Sequence, residues 1–313
     1  MRMLALSEEW KRRGGRVIFG GAVPKGLRER AEAPFIERAG TDDAQWTITQ
    51  ARISGCSFVA ADGYSFGLEY QRVVQDAGLQ LLLVDDNGEN REYAATWILN
   101  VNAHARETMY ARRAAHSRLL LGSDFLLLRS AILRARRTRT GGPLLVSFGG
   151  ADPADATKLT LAAITSQPTL LAQGVVVLVG AANGRISEYR EAQPGPQFRI
   201  LVDPEGVADI MASAGVCICS PSTTFWEMSY LQVPCIGLVV ADNQKLIAED
   251  VRQRGLMRVV GDARLLGAAE LGDALKAALS LRDELERMAE AAGHISDGRG
   301  ASRVVDAMLG PTR

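Results

Sequence analysis

Short apolar runs recur along this chain without polar alternation, separated by stretches of helical length. Leu79–Val84, Leu144–Phe148, Val175–Val179, Val216–Ser220 and Pro234–Val239 are the clearest. A strand that is apolar on both faces must be covered on both, as in a parallel sheet flanked by helices. Further strands are expected at Arg16–Gly20, Ser57–Ala61, Thr96–Asn100, Phe198–Val202 and Arg258–Val260. Helices are expected at Leu27–Arg38, Ala44–Ile53, Phe66–Ala77, Asp155–Ile164, Val207–Ala212, Thr224–Leu231 and Gln244–Arg254, and from Ala268 onward. Met3, Leu4, Leu6 and Trp10, followed by Lys11–Arg13 and Gly14-Gly15, read as an amphipathic helix with a basic last turn and a glycine cap.

The 313 residues suit two domains at roughly 100–200 residues each. The basic, then glycine-containing segment Arg134–Gly142 reads as a solvated linker, dividing the chain into 1–140 and 141–313. The expected class is α/β, with two Rossmann-like, doubly wound domains facing across a cleft and a ligand at the carboxyl ends of the strands.

Thirty-six basic against 36 acidic residues give no net charge, which removes the electrostatic reason to expect nucleic acid or an anionic membrane as partner. No apolar stretch reaches the ~18–20 residues of a membrane span, and no secretion signal opens the chain. Cys56, Cys217, Cys219 and Cys235 form no C-x-x-C pair and read as reduced thiols of a cytoplasmic protein. His104, His116 and His294 stand at no metal-ligand spacing, so neither a metal nor another cofactor is expected.

Candidate chemistry falls at strand ends. In Ser147-Phe-Gly149-Gly150-Ala-Asp152-Pro153 two glycines allow close approach to an anion, and Pro153 suits the first turn of a helix capped by Asp152. A plain strand-to-helix turn is the alternative. In Cys219-Ser-Pro-Ser222-Thr223-Thr224-Phe-Trp-Glu227, hydroxyls surround a helix start suited to a diphosphate. Glu227, one turn on, can accept from a ribose diol; an ordinary cap and a surface glutamate would look the same. Asn243 and Gln244 follow a strand and can bridge to a sugar or phosphate, or simply open a helix. In the first half, Asp62, Tyr64, Asp85, Asp86, Asn100 and Asn102 end three strands, where the aspartates can bind sugar hydroxyls or hold turns.

Taken in order, Asp62-Gly-Tyr64, Val84-Asp-Asp86, Asn100-Val-Asn102, Leu120-Leu-Gly122, Leu127-Leu-Arg129, Ser147–Pro153, Ser222–Glu227 and Asn243-Gln244 resemble the UDP-sugar hydrolases of pseudaminic acid biosynthesis and related spore-coat polysaccharide proteins. The resemblance runs from about Met1 to Gly261. It implies a GT-B-like fold and release of UDP from a UDP-diacetamido-trideoxy-altropyranose, with water as acceptor. It implies that Gly149, Gly150, Ser222, Thr223 and Thr224 cradle the diphosphate and that Glu227 holds the ribose. Asp62, Tyr64 and Asp85 would then face the sugar, and Asn243 and Gln244 the sugar or phosphate.

Two departures stand out. Pro221 lacks an N–H that the family pattern offers to phosphate. The family's opening strand and G-x-G-H-x-x-R loop, with its acid/base histidine, have no counterpart here, although Arg2 matches the closing arginine. The resemblance thus implies a first domain without its first strand and no identified catalytic residue. It also implies a natural start about 15–20 residues upstream, the length of one strand and a tight loop. Without those residues, a nucleotide-sugar binder of little hydrolase activity and an exposed strand edge are expected; a GT-B glycosyltransferase with another acceptor is the other reading.

Overall fold

The computed structural model describes residues 1–21, 25–40, 42–137, 141–150, 152–180, 182–191 and 195–310. The chain divides into two compact units, one of Met1–Val23, Leu27–Arg129 and Asp297–Arg313, the other of Pro24–Gly26 and Ser130–Ser296.

The first part of the chain runs α1 (Arg2–Arg12), β1 (Phe19–Gly21), α2 (Lys25–Arg30), β2 (Phe35–Glu37), α3 (Asp43–Ser54), β3 (Phe58–Asp62), α4 (Leu68–Asp76), β4 (Gln80–Val84), β5 (Trp97–Asn100) and β6 (Arg118–Leu121). Local chemistry explains its boundaries. The Asp42 carboxylate accepts from the N–H groups of Ala44 and Gln45 to start α3, and Gly55, at φ +65°, ends it. The single helix expected over Leu27–Arg38 is instead a short helix and a strand. Pro34 cannot continue a helix, and Phe35 pairs in parallel with Phe19 of β1. The strand β6, which had no strand assignment in the sequence, pairs with β5 through Ile98 and Leu119.

All pairings in this unit's sheets are parallel. The order is β3-β4-β5-β6, with β1-β2 a separate two-stranded sheet. Leu81, Leu83, Ile98 and Tyr110 centre the core. The outer edge of β3 pairs with no strand among the described residues, and Ala60 in its middle is exposed.

The second part contains α5 (Ser130–Arg134), β7 (Leu144–Ser147), α6 (Ala156–Thr165), β8 (Val175–Val179), α7 (Ile186–Glu191), β9 (Phe198–Val202), α8 (Val207–Ala212), β10 (Val216–Cys219), α9 (Thr223–Tyr230), β11 (Cys235–Val239), α10 (Lys245–Gln253), β12 (Arg258–Asp262), α11 (Ala268–Ser280) and α12 (Arg282–Gly293). The strands form one parallel six-stranded sheet of order β12-β11-β10-β7-β8-β9. Renumbered within the unit this is 3-2-1-4-5-6, the doubly wound order, and its direction switches between β7 and β10. Val146, Val177, Ile218, Ile236 and Leu238 are fully buried at its centre.

A last helix, α13 (Gly300–Leu309), packs on α1 and on the 3-10 turn Ser123–Phe125. Gly300 approaches the Leu126 carbonyl so closely that a Cβ would lie 2.2 Å from it. Arg13 donates to Ser302 and Asp306. The division is thus not the expected 1–140 and 141–313: the change falls at Ser130, and residues from Asp297 return to the first unit. The supposed linker also differs, within its described residues 134–137 and 141–142. Arg137 makes a two-pronged ion pair with Glu286, 2.9 Å at each prong, and donates to the Gln232 carbonyl. Residues 138–140 of the linker lie outside the described residues.

Candidate functional site

Parallel strands bring all their carboxyl ends to one edge of a sheet, so in the second unit the loops after β7, β10 and β11 emerge side by side. Ser147, the last residue of β7, is register partner of Cys219, the last of β10, and Cys219 is partner of Gly237 in β11. The segments containing Gly149–Gly150 and Ser222–Thr224 therefore flank the switch point together, as the diphosphate reading requires.

Gly149 has φ +82°, and a Cβ on Gly150 would meet nothing within 4 Å, leaving open space over the loop. Behind it, a Cβ on Gly180 would lie 2.6 Å from the Gly150 Cα, so only glycine at 180 lets the two loops touch.

The helix that follows departs from expectation. α6 starts at Ala156 rather than at Pro153, and the buried Asp152 carboxylate accepts from the N–H groups of Ala156 and Thr157, at 2.9 and 2.8 Å. An internal anion already fills the position that free amides would offer a ligand phosphate. Within this segment only the Gly149–Gly150 loop is left with open space in front of it. Asp155 is likewise engaged: it accepts from the Tyr189 hydroxyl at 2.6 Å and pairs with Arg185. Burial, then that hydrogen bond, push the Tyr189 hydroxyl above its ordinary range, keeping it a donor.

α9 is different. Ser222 occupies its N-cap in an extended conformation, and no side chain caps the helix there. Ser220 and Ser222 are 3.0 Å apart through their hydroxyls. Thr223 is half-buried, Thr224 and Glu227 are buried, and Thr223 and Glu227, four apart, share one helix face. Just past the end of β11 the Gln244 side-chain carbonyl accepts from the Val240 N–H. Asn243 is half-buried beside it. Asp242 is exposed, and hydrogen bonds from Arg264 and then Lys245 hold its carboxyl down at about 2.

In the first unit the ends of β3, β4 and β5 carry a polar network. The Asp85 carboxylate accepts from the N–H groups of Asn87 and Gly88 and from the hydroxyls of Tyr93 and Tyr110. Three of these donors crowd Oδ1 and one reaches Oδ2, so Asp85 holds the turn that follows β4 while its Oδ2 keeps one acceptor position. Burial and then the proximity of Asp85 push both tyrosine hydroxyls up, so they remain donors.

Asp86 and Asp62 are tied instead to Arg2. The guanidinium donates to Asp62 Oδ1 at 2.7 Å and Oδ2 at 3.3 Å, and to Asp86 Oδ1. Burial alone would lower the Arg2 pKa, but the carboxylates of Asp86 and then Asp62 outweigh it and hold the cation above its ordinary value. Asn102 donates to the same Asp86 oxygen at 3.1 Å, and Asn100 orients Asn102 through its side-chain carbonyl. Tyr64 stands exposed.

The ion-pair frame was the feature least visible in the sequence. Its signal was an arginine, Arg2, with paired aspartates at two distant strand ends. Among the histidines, His104 is half-buried after β5, His294 is exposed, and the His116 ring contacts Gln75 and the Ala94 carbonyl. Among the described residues no group of three or more metal-ligating side chains comes together, and no helix is long and apolar enough to cross a membrane. Cys217, Cys219 and Cys235 are buried free thiols, and Cys56 is half-buried and free.

No family model matches the chain. It is 24% identical over 191 residues to the spore coat polysaccharide biosynthesis protein SpsG of Bacillus subtilis, a match over 59% of this chain and 56% of that protein. The match spans little more than half the length of that curated relative. Among solved structures, MurG of Acinetobacter baumannii superposes with a TM-score of 0.63 at 15% identity, covering 98% of this chain and 95% of that one. HepE of Anabaena, solved in complex with UDP and glucose, superposes with a TM-score of 0.61 at 12% identity, covering 98% and 94%. The two parallel Rossmann-like sheets match the GT-B glycosyltransferase fold.

Proposed function

We propose that this chain binds a UDP-sugar and acts in surface polysaccharide or nonulosonic acid biosynthesis. The observation that carries the reading is the uncapped start of α9 beside the open Gly149–Gly150 loop, at the switch point of a doubly wound sheet. Amide donors at the positive end of α9, with the hydroxyls of Ser222, Thr223 and Thr224, take the diphosphate, and Glu227 accepts from the ribose. Asn243 and the side-chain amide of Gln244 donate to the phosphate or sugar. The match to a spore coat polysaccharide protein and the likeness to a UDP-bound structure support this reading.

The reaction proposed is hydrolysis. Water attacks the anomeric carbon and gives up a proton to solvent, the bond to the diphosphate oxygen breaks, and its electron pair leaves with UDP, whose charge the α9 donors stabilise. The GT-B likeness favours transfer to another acceptor as a second reading, although such a fold hosts several chemistries. A panel of UDP-sugars separates them: UDP released without acceptor indicates hydrolysis, and release only with a carbohydrate or lipid extract indicates transfer. Binding without turnover indicates a nucleotide-sugar sensor.

Calorimetric titration with UDP tests the site itself. Glu227→Ala is expected to weaken UDP binding by about 1–3 kcal/mol, the scale of a lost hydrogen bond to a charged group. An unchanged affinity removes Glu227 from the site, and no UDP binding by the wild type removes the reading.

A further inference from the structure

We propose that Tyr189, on α7, is a positioning residue for the diphosphate: through the Asp155 carboxylate it fixes the turn that follows Gly149–Gly150. This rests on the UDP-sugar reading above, and every residue it uses belongs to the second unit.

The turn between β7 and α6 is strained. Asp152 and Asp155 both stand in the left-handed region, at φ +42° and +52°, where a non-glycine residue persists only if its surroundings fix it. Asp152 is fixed from within: its carboxylate accepts from Ala156 and Thr157, and its carbonyl accepts from the Asp155 N–H at 3.1 Å. Asp155 is fixed from outside. It occupies the N-cap of α6, where an aspartate ordinarily accepts from its own helix, yet its side chain makes no such bond. The carboxylate turns instead to α7 and accepts from the Tyr189 hydroxyl at 2.6 Å.

Tyr189 is itself held. It is 1% exposed, so little water competes for its hydroxyl. The Asn183 amide donates to that hydroxyl at 3.4 Å, and the Asn183 side-chain carbonyl accepts from the Arg185 N–H. The Asn183 backbone N–H donates to the Gly180 carbonyl, and Gly180 is the residue packed against Gly150. The loop with open space in front of it is thus backed at two places, Gly180 and Asp155, and the Tyr189 hydroxyl joins them. Without that hydroxyl, Asp155 retains toward α7 and its preceding loop the longer 3.5 Å contact with Arg185. With Gly149–Gly150 on the phosphates and Glu227 on the ribose, a displaced turn weakens the hold on the diphosphate and spares the nucleoside.

The test measures UDP by calorimetry and uridine by displacement of UDP on the full chain, with thermal melts alongside. Tyr189→Phe is expected to weaken UDP by about three- to tenfold, up to the scale of one hydrogen bond to a charged group, and to leave uridine unchanged. Asp155→Asn keeps the shape but weakens the acceptor, so it should move the UDP-to-uridine ratio the same way by a smaller factor. Tyr189→Phe added to Asp155→Asn should then have less effect than it has alone. Lys158→Ala removes an exposed ion pair with Glu188 between the same two helices and should leave the ratio where it was.

Equal losses of UDP and uridine affinity, or a lowered melting temperature with the ratio intact, would make Tyr189 a packing residue and overturn the proposal. Full additivity in the double variant also overturns it, because Tyr189 would not then act through Asp155. Should Tyr189→Phe fail to fold, Asp155→Asn decides alone, and an unmoved ratio there is fatal. If the wild type binds UDP and neither variant moves the ratio, this inference fails while the UDP-sugar reading stands. If the wild type binds no UDP, the underlying reading has failed.

Discussion

The two units are built from the same grammar, yet only one completes it. In the second, six parallel strands run in doubly wound order, and the central strands β7, β8, β10 and β11 are buried along their whole length. In the first, among the described residues, β3 has one partner and an open side, with β1 and β2 paired apart. A doubly wound sheet carries its switch point where two central strands separate, and the second unit alone shows that junction, between β7 and β10. The difference teaches where each unit keeps its order. The second relies on apolar burial at the centre of a six-stranded sheet; the first concentrates charge pairs and tyrosine–aspartate hydrogen bonds at its strand ends.

The largest effect that could break this comparison is on stability. Ile218, fully buried in β10, should lose about 2–5 kcal/mol on replacement by alanine, from the apolar contacts removed and the cavity left behind. Val59 on the open strand β3 is only half-buried, and its alanine variant should cost less than about 1 kcal/mol. Denaturant melts of the two variants measure both. Equal costs would mean that β3 is as tightly enclosed as β10, and the contrast would collapse.

A smaller effect sharpens the contrast at the site. Gly180→Ala would force a methyl to within 2.6 Å of the Gly150 Cα, against backbone that has no flexible end to yield. The variant should lose roughly 1–3 kcal/mol of stability through overpacking and bind UDP more weakly, because the Gly149–Gly150 loop must move. Gly184→Ala, where a Cβ meets nothing within 4 Å, is the control and should change neither reading beyond its own turn. Unaltered UDP affinity in Gly180→Ala would detach that loop from the phosphate.

Much of this was legible from periodicity alone. Val175–Val179, Phe198–Val202 and Val207–Ala212 coincide with β8, β9 and α8; for β8, a run buried on both sides leaves little choice of element. The adjacency of the Gly149–Gly150 and Ser222–Thr224 loops was implied by the family resemblance, and the pairing of β7 with β10 produces it. What could not be read was which polar groups neutralise one another. Asp152 looked like an ordinary cap before Pro153, but with φ +42° its carboxylate reaches forward to amides four and five residues on. Asp85 and Asp86 are sequence neighbours, yet one is consumed by a turn and the other by an arginine some 84 residues away. Such partners are chosen by tertiary contact, which neither spacing nor propensity encodes. The strand over Phe35–Glu37 was lost for a related reason: three residues carry too little pattern, and their pairing with β1 decides the matter.

The smallest effect concerns the segment that reads as a solvated linker. Arg137 is 17% exposed and Glu286 33%, so their ion pair is partly shielded, and Arg137→Ala should cost about 1–2 kcal/mol, discounted for the water that still reaches the glutamate. The pH dependence supplies a sign. Burial alone would raise the Glu286 pKa, but the Arg137 guanidinium beside it outweighs this and holds the carboxyl below its ordinary value of 4.5. A group depressed in the folded state contributes stability that is fully present above its unfolded pKa and is lost as pH falls through the folded one. Melts from neutral pH downward should therefore show the wild type's advantage over Arg137→Ala intact at pH 7 and shrinking once the pH drops below about 4.5. A difference independent of pH would mean that Arg137 works through its bond to the Gln232 carbonyl rather than through Glu286, and that the second unit depends on charge even less than its buried central strands suggest.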